Sequence, residues 1–263
     1  MRLAAYPKLI RLGLTVLAGA LTILLLFPFL KPDERDRRVV AWARKLLASV
    51  RVRVTVRGRP PAVRGEGALI VANHVSWLDI HVLHSLLPSR FVSKAEVRNW
   101  PLIGWMASRA GTLYLERARK SDARRVNEEM TALLRDGECL ALFPEGTTTD
   151  GTRLLPFYPS LLQPAVAAGA RVWPAVIRYR HADGRINLEA AYHDDISLGQ
   201  SLWRILAQDE ILAEVSFLPP IATAGLHRRE VARRAEAAIR AHLAADGLGS
   251  QSGISAHPQA AAQ

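Results

Sequence analysis

The chain of 263 residues is poor in cysteine, with Cys139 as its single thiol. One thiol excludes an internal disulfide and any metal site built from several cysteines, and it is typical of a reducing compartment. We therefore expect the folded part of the chain to face the cytoplasm. The sequence also lacks the Gly-x-Ser-x-Gly pattern of a serine nucleophile on a strand-to-helix turn. A covalent serine mechanism of that type is not indicated.

Acidic residues are scarce in the first 64 positions, which hold 14 Lys and Arg but only three Asp and Glu. The remaining positions hold 21 of each sign, so the formal net charge of +11 comes entirely from the N-terminal segment. A nucleic-acid-binding protein is expected to distribute cations and aromatic residues over its folded recognition surface. The neutral remainder shows no such pattern, and we predict no nucleic-acid partner.

Charge is absent from residues 12–30, an apolar run long enough to form a helix of about 28 Å, against a bilayer hydrocarbon core of about 30 Å. No small-residue cleavage site follows it, so we interpret the run as a retained anchor rather than a signal peptide. Residues 37–50 then alternate basic and apolar side chains at helical spacing, which predicts a basic amphipathic helix. We favour a position in the lipid headgroup layer over the alternative, a helix packed on the domain. Positive charge on both flanks leaves two topologies open, a single span and a one-leaflet hairpin that turns at Pro28.

Beyond the anchor, short apolar runs alternate with helical patterns. This alternation predicts an α/β fold with a mixed central sheet flanked by helices. We expect a membrane anchor at residues 1–49, an α/β domain at 50–246 and a flexible tail at 247–263. The predicted strands begin near residue 50 and continue at 68–72, 90–93, 112–115, 139–143, 172–177, 186–190 and 212–218. The predicted helices are 77–87, 103–109, 122–135, 161–168 and 226–245.

Polar residues gather where the predicted strand 68–72 ends, in the run from Asn73 to Asp79. If His74 precedes a helix that begins near Ser76, the Asp79 carboxylate can reach an imidazole nitrogen. Such a contact would fix the tautomer and leave the other nitrogen free to take a proton from a hydroxyl near neutral pH. Taken alone, the His-x4-Asp pattern also fits a histidine that is simply satisfied by local hydrogen bonds.

A second polar cluster, Phe143-Pro144-Glu145-Gly146-Thr147, follows another apolar strand. In combination with the first cluster and with the segment 111–117 between them, it resembles the glycerolipid acyltransferase family, typified by 1-acylglycerol-3-phosphate acyltransferases. The resemblance covers roughly residues 68–175. It implies a membrane-bound enzyme of phospholipid biosynthesis that transfers a fatty acyl group to the sn-2 hydroxyl of lysophosphatidate, giving phosphatidate. The donor would be acyl-CoA or acyl-carrier protein.

The resemblance also implies a role for each matching residue. His74 would be the general base and Asp79 its partner. Gly111 and Arg117, the first and last residues of the second block, would bind substrate, and Arg117 would hold the acceptor phosphate with the help of Lys94. The third block is implicated in acceptor binding through Glu145, Gly146, Thr147 and the following Thr148. No metal or cofactor is implied beyond the thioester co-substrate, and the expected location is the inner, cytoplasmic membrane with the catalytic domain facing the cytoplasm.

One position departs from the family pattern. The third block often continues with Arg, and Thr148 stands there instead, which removes a cation that could contact phosphate. This continuation resembles the branch of the family that acylates lyso-ornithine lipid, although phosphatidate-forming members can also carry it. The sequence therefore leaves lyso-ornithine lipid open as an alternative acceptor.

Two other classes of protein are weighed against acyl transfer. A metal-dependent hydrolase could use His74, Asp79 and Glu145 as ligands, but no His-x3-His pattern or second histidine near Glu145 supports it. A non-catalytic lipid-binding protein on the same scaffold is disfavoured because the polar positions of the motifs are present. For acyl transfer no enzyme nucleophile is needed, since a thioester is already activated toward a hydroxyl.

Overall fold

Seven strands form one sheet in the computed structural model, which describes residues 5–62, 64–116, 120–193 and 195–245. They are β1 (Val52–Arg57), β2 (Ala68–Ala72), β3 (Arg90–Lys94), β4 (Leu113–Leu115), β5 (Cys139–Leu142), β6 (Arg171–Arg180) and β7 (Ile211–Phe217). The spatial order is β1-β7-β6-β2-β5-β3-β4. Strands β6, β2, β5, β3 and β4 are mutually parallel, whereas β7 is antiparallel to β6. The predicted mixed sheet is confirmed.

The carboxyl ends of the parallel strands lie on one side of the sheet, called here the carboxyl edge. Every residue of β2 is buried, as expected for a central strand covered on both faces. Alternate residues of β2 therefore face opposite cores. Ile70 belongs to one cluster of buried side chains, and Leu69 and Val71 belong to the other.

Helices cover both faces. They are α1 (Ala5–Leu25), α2 (Pro32–Ser49), α3 (Leu78–Leu86), α4 (Ile103–Arg109), α5 (Lys120–Arg135), α6 (Gln163–Ala168), α7 (Leu198–Leu206) and α8 (Arg228–Ala245). Side chains of α2, α3 and α7 fill the core on one face, through residues such as Leu47, Leu83 and Leu206. Side chains of α5 and α8, including Met130 and Ile239, fill the core on the other.

Helix α1 is long and apolar enough to cross a membrane by length and composition. It nevertheless packs along α2, where the Trp42 indole nitrogen donates to the carbonyl of Thr15 at 2.8 Å. A Cβ at Gly19 would lie 2.3 Å from the same indole nitrogen, so only glycine permits this approach. The buried Lys8 ammonium donates to the carbonyl of Leu206 at 3.2 Å, which fixes the start of α1 to the end of α7.

The opposite side of α1 is apolar and exposed. Its exposed large side chains are Leu9, Ile10, Leu14, Leu17, Leu21, Leu24 and Leu25. A 3₁₀ turn at Phe27–Phe29 ends this face, and α2 begins three residues later. The chain therefore reverses at Pro28, and the two N-terminal helices form a pair docked on the α/β domain.

The structure differs from the sequence prediction in two places. Residues 186–190 do not form a strand; a single bridge joins Ile186 to Arg180, and a 3₁₀ turn follows at Leu188–Ala190. The Asn187 side chain accepts a hydrogen bond from the Ala190 amide and so favours the turn over an extended strand. Helix α7 was not predicted, although Ser197 and Gln200 form a capping box at its start. The predicted tail at 247–263 lies outside the described residues.

Candidate active site

Asn73 holds the turn through which the chain leaves β2. Its side-chain amide donates to the carbonyl of Ile177 at 3.0 Å and accepts from the Ile177 amide at 2.8 Å. The Asn73 side chain thereby continues the β2–β6 ladder after the main chain of β2 has turned away. His74 comes next, four residues before α3 begins at Leu78. This is the local geometry that the sequence predicted for the His-x4-Asp pattern.

The imidazole of His74 is held by a buried carboxylate. His74 Nδ1 lies 2.8 Å from Asp79 Oδ2, and Asp79 has a side-chain exposure of 0% against 18% for His74. The same Oδ2 accepts from the main-chain amides of Val75 at 2.7 Å and Ser76 at 3.0 Å. A carboxylate only accepts hydrogen bonds, so Nδ1 carries the proton and Nε2 keeps its lone pair. The partly exposed ring can therefore take a proton at Nε2.

The plane of the ring is also fixed. The rings of His74 and Phe143 stack with their centroids 3.9 Å apart and an interplanar angle of 5°. Phe143 is the buried residue that directly follows β5, so the neighbouring strand supplies the surface on which the imidazole rests. Together with the Asp79 contact, this stacking leaves the ring of His74 one orientation.

Tyr179 completes the surroundings of Asp79 and was missed by sequence reasoning. Its buried hydroxyl, on β6, donates to Asp79 Oδ1 at 2.6 Å. Burial and the neighbouring Asp79 charge raise the pKa of Tyr179 well above its ordinary value, so the phenol remains a donor at neutral pH. Both oxygens of Asp79 are thus engaged. The sequence does place a tyrosine inside an apolar strand, and a buried tyrosine hydroxyl usually finds a polar partner. That position could have indicated a hydrogen bond to the site.

Glu145 holds the main chain of His74 rather than its ring. Its Oε1 accepts from the His74 amide at 2.7 Å, and its Oε2 accepts from the Leu155 amide at 2.8 Å. Burial raises the pKa of Glu145 to about 7. Both oxygens accept hydrogen bonds from the protein itself, and acceptor binding by Glu145 stays a prediction. The carboxyl group joins the loop after β5 to the turn after β2.

The rest of the third block is tied to the same turn. Gly146 takes a positive φ of 76° and its amide donates to the Phe143 carbonyl, which closes the loop tightly after β5. The buried Thr149 then donates its amide to the His74 carbonyl at 2.9 Å. Thr147 lies exposed and Thr148 half-buried between these anchored points. These two threonines are the part of the block that remains open to a ligand.

The predicted phosphate contacts are Lys94 and Arg117, and the structure describes Lys94. Lys94 is exposed and ends β3 at the carboxyl edge, as expected. It lies two strands from β2, a lateral distance of about 10 Å, because neighbouring strands are about 4.8 Å apart. Arg117 lies outside the described residues, two positions after β4 ends at the same edge.

Gly111 does not lie with Lys94. It precedes β4 on the opposite side of the sheet, with a φ of 83°, and a Cβ there would come within 3.3 Å of the Arg90 guanidinium. The structure gives Gly111 a backbone role, and substrate binding by this residue stays a prediction. Its positive φ lets the chain turn from α4 into β4 beside Arg90.

The alternatives to a histidine base find no support in this geometry. Asp79 and Glu145 direct their oxygens at N–H and O–H donors of the protein, which is the reverse of a cation site. Among the residues that the structure describes, no group of three His, Cys, Asp or Glu side chains could hold a metal ion. Cys139 is buried. Burial raises the pKa of its thiol to about 12, so the thiol is not ionised at neutral pH.

Comparison with known proteins supports the same chemistry. A family model described as acyltransferase matches residues 53–178. A lyso-ornithine lipid O-acyltransferase of Pseudomonas aeruginosa is 41% identical over 209 residues, which are 80% of this chain and 79% of the relative. The chain belongs to the acyltransferase family. A second relative of this acyltransferase, the 1-acyl-sn-glycerol-3-phosphate acyltransferase of Neisseria meningitidis serogroup B, is 36% identical over 187 residues, covering 71% of the chain and 72% of the relative.

The fold of this acyltransferase also has a solved counterpart. The crystal structure of the 1-acyl-sn-glycerophosphate acyltransferase from Thermotoga maritima matches 94% of this chain and 100% of its own, with a TM-score of 0.63 and 20% identity. The relatives named above share a lysolipid acceptor and differ in its head group. The chain is therefore an acyltransferase of the lysophospholipid and glycerolipid type.

Proposed function

We propose that this acyltransferase moves a fatty acyl group from acyl-CoA or acyl-carrier protein to the sn-2 hydroxyl of lysophosphatidate, giving phosphatidate. The observation that carries the proposal is His74, whose Nδ1 is held by a buried carboxylate and whose Nε2 is open. A base placed this way suits deprotonation of a hydroxyl near neutral pH.

The reaction needs no enzyme nucleophile. The acceptor oxygen attacks the thioester carbonyl as His74 Nε2 takes its proton, and a tetrahedral intermediate forms. Collapse of this intermediate breaks the C–S bond, and the imidazolium returns the proton to the departing thiolate. Asp79 stabilises the imidazolium between the two transfers, because its carboxylate lies 2.8 Å from Nδ1. Tyr179, Val75 and Ser76 keep that carboxylate in place.

Lys94 at the carboxyl edge supports a phosphate-bearing acceptor. The ammonium of Lys94 extends from the end of β3, and a lysine side chain spans about half of the 10 Å that separates β3 from β2. Arg117, implied by the family motif, would add a bidentate partner for a phosphate group. Thr147 is exposed and Thr148 half-buried, and both could donate hydroxyl hydrogen bonds to the acceptor.

Lyso-ornithine lipid is a second candidate acceptor, and Thr148 is the residue that favours it. A neutral side chain stands where a phosphate-binding arginine is frequent, and the Pseudomonas relative is named for this acceptor. Both lysolipids should be assayed with one acyl-CoA in the same detergent micelles. A higher kcat/KM for lysophosphatidate is expected, and the reverse order would overturn the acceptor assignment. Thr148→Arg should raise the ratio of the two kcat/KM values in favour of lysophosphatidate.

We also propose that α1 and α2 hold the enzyme on the cytoplasmic face of the inner membrane as a one-leaflet hairpin. The contacts of α1 with Trp42 and with the end of α7 keep one side of the helix on the domain. A helix docked in this way cannot also cross the bilayer, whereas its exposed apolar side can enter one leaflet. A cysteine placed at Leu3 should resist impermeant thiol reagents added outside intact cells. Labelling from outside would favour a span.

A further inference from the structure

A strained turn lies between β3 and α4, and Leu102 occupies its tip. Leu102 has φ of 60° and ψ of −53°, and the Ile103 amide donates to the Pro101 carbonyl at 2.6 Å across it. This is a three-residue γ-turn with a positive φ, a conformation that is rare and strained for any residue with a Cβ. Glycine would adopt it without the steric conflict.

The strained turn is only partly buried. Leu102 is 45% exposed, and its neighbours Trp100 and Ile103 are 37% and 41% exposed. Three large apolar side chains therefore point away from the core within four residues. Nearly half of the surface of Leu102 gains nothing from the fold, which directs attention to a contact outside the fold.

The base of the turn is rigid. The Gly104 amide donates to the Trp100 carbonyl and the Met106 amide donates to the Leu102 carbonyl, both at 2.9 Å. A Cβ at Gly104 would lie 2.2 Å from the Arg98 carbonyl, so the chain is closely packed immediately beside the tip. The Leu102 side chain therefore projects from a closely packed part of the chain.

The position of the turn connects it to two other surfaces. Helix α4, which the turn begins, packs against α1, whose outer side is apolar and exposed. The turn also follows Lys94 at the carboxyl edge, where the site lies. Exposed cations flank it, with the Arg98 guanidinium 5.9 Å from the ring of Tyr114 and Arg109 at the end of α4. Aromatic, aliphatic and basic side chains in one patch are typical of surfaces that enter a lipid interface.

We propose that the turn at residues 100–103 inserts Trp100, Leu102 and Ile103 into the same leaflet that receives the outer side of α1. The partner is a lipid bilayer, and the contact would place the carboxyl edge against the surface from which a lysolipid must be drawn. This inference rests on the proposed membrane association, and it assigns to the turn a contact that the N-terminal helices do not make.

Fluorescence of a polarity-sensitive probe tests the contact directly. In a Cys139→Ala background, Leu102→Cys carries the probe at the tip and Glu128→Cys carries it on α5, on the opposite face of the sheet. Vesicles of phosphatidylethanolamine and phosphatidylglycerol should shift the emission at 102 to shorter wavelength and leave that at 128 unchanged. Emission at 102 that stays unchanged while the protein binds vesicles would overturn the proposal. So would a shift caused by acyl-CoA without vesicles, which would place the tip in the donor site.

Substitution of Leu102 gives a second test in which stability and binding move in opposite directions. Leu102→Gly relieves the strained φ, so Tm should be unchanged or higher. Vesicle affinity should fall about three- to tenfold, since one large apolar side chain is removed from the interface. Leu102→Met keeps the apolar volume and should retain the affinity. Equal vesicle affinity for Gly and wild type would contradict the insertion.

The same variant separates this proposal from the proposed function. With a short-chain lysophosphatidate that is monomeric in water, Leu102→Gly should react at the wild-type rate, while transfer to acceptor embedded in vesicles should fall with the affinity. If the wild-type protein transferred no acyl group to any acceptor, the proposed function would fail, yet the probe would still report the contact. If the wild-type protein did not bind vesicles, the insertion would be refuted whatever its activity.

Discussion

Two buried carboxyl groups touch His74, and they do different work. Asp79, in the first turn of α3, contacts the imidazole, and its oxygens receive four donors within 3.0 Å. Glu145, in the loop after β5, contacts only main-chain amides, of His74 and Leu155. A carboxylate aimed at the ring can stabilise a charge that forms during the reaction, whereas one aimed at the backbone can only keep the ring in position. The predictions below separate these roles.

Asp79→Asn should have the largest effect in this comparison. The amide can donate to Nδ1 and so favour the tautomer whose Nε2 carries the proton, and it cannot stabilise an imidazolium by charge. By analogy with the Asp-to-Asn change in the serine protease triad, kcat should fall about 10³- to 10⁴-fold. Steady-state rates with near-native circular dichroism would check this. A loss below tenfold would show that Asp79 is structural.

Glu145→Gln should cost less, about ten- to a hundredfold in kcat/KM, because the ring contacts of His74 remain and only its main-chain support changes. As a control, the variant should have the same fold and the same affinity for the acyl donor as the wild type. An effect as large as that of Asp79→Asn would erase the distinction between the two carboxyl groups.

Glu145→Gln should also change how the free energy of unfolding depends on pH. Burial raises the pKa of Glu145 to about 7 from an ordinary 4.5, so the neutral form is favoured in the folded protein. The stability that this group contributes is present below about pH 4.5 and is lost as pH rises through 7. Between pH 5 and 8 the free energy of unfolding of wild type should fall relative to Glu145→Gln by up to about 2–3 kcal/mol. If urea titrations gave free energies of unfolding that changed in parallel with pH for wild type and Glu145→Gln, the raised pKa of Glu145 would be refuted.

Tyr179→Phe should lower kcat about tenfold, since one buried hydrogen bond to the carboxylate is lost. The bare Oδ1 leaves more negative charge for the imidazolium, so the acid limb of the kcat/KM profile should move to higher pH. A purely structural role would lower the rate without moving that limb. Tyr158→Phe, at an exposed tyrosine, is the matched control and should leave the profile unchanged.

Thr149→Val should have the smallest effect, within about threefold. The three hydroxyl contacts of Thr149 are long, at 3.2, 3.3 and 3.4 Å, and its amide still donates to the His74 carbonyl. Initial rates are sufficient to check it. A loss above tenfold would assign to the hydroxyl the support that we attribute to Glu145.

The sequence predicted the part of the site that is local. His74 and Asp79 are five residues apart, and the start of α3 determines whether they meet. The support for this pair comes from far along the chain: Glu145 is 71 residues from His74, and Tyr179 is 100 residues from Asp79. Those partners depend on which strands are neighbours in the sheet, and spacing along the sequence does not contain that order.

The same limit applies to two further predictions. Gly111 shares a motif with Arg117, but it precedes the three-residue strand β4 and so lies on the side of the sheet opposite the carboxyl edge. Residues 186–190 are apolar enough for the strand that we expected, but the Asn187 side chain caps a 3₁₀ turn there. Strands β2, β3 and β5 were predicted closely because each is a short apolar run with a clear polar end.

The central claim is that His74 removes the acceptor proton. Single-turnover transfer from acyl-CoA to lysophosphatidate by purified His74→Ala, compared with wild type at equal donor occupancy, tests it most directly. A loss of at least about 10³-fold in the rate of thiol release, with donor affinity unchanged, is the predicted result. Transfer at the wild-type rate would contradict the account.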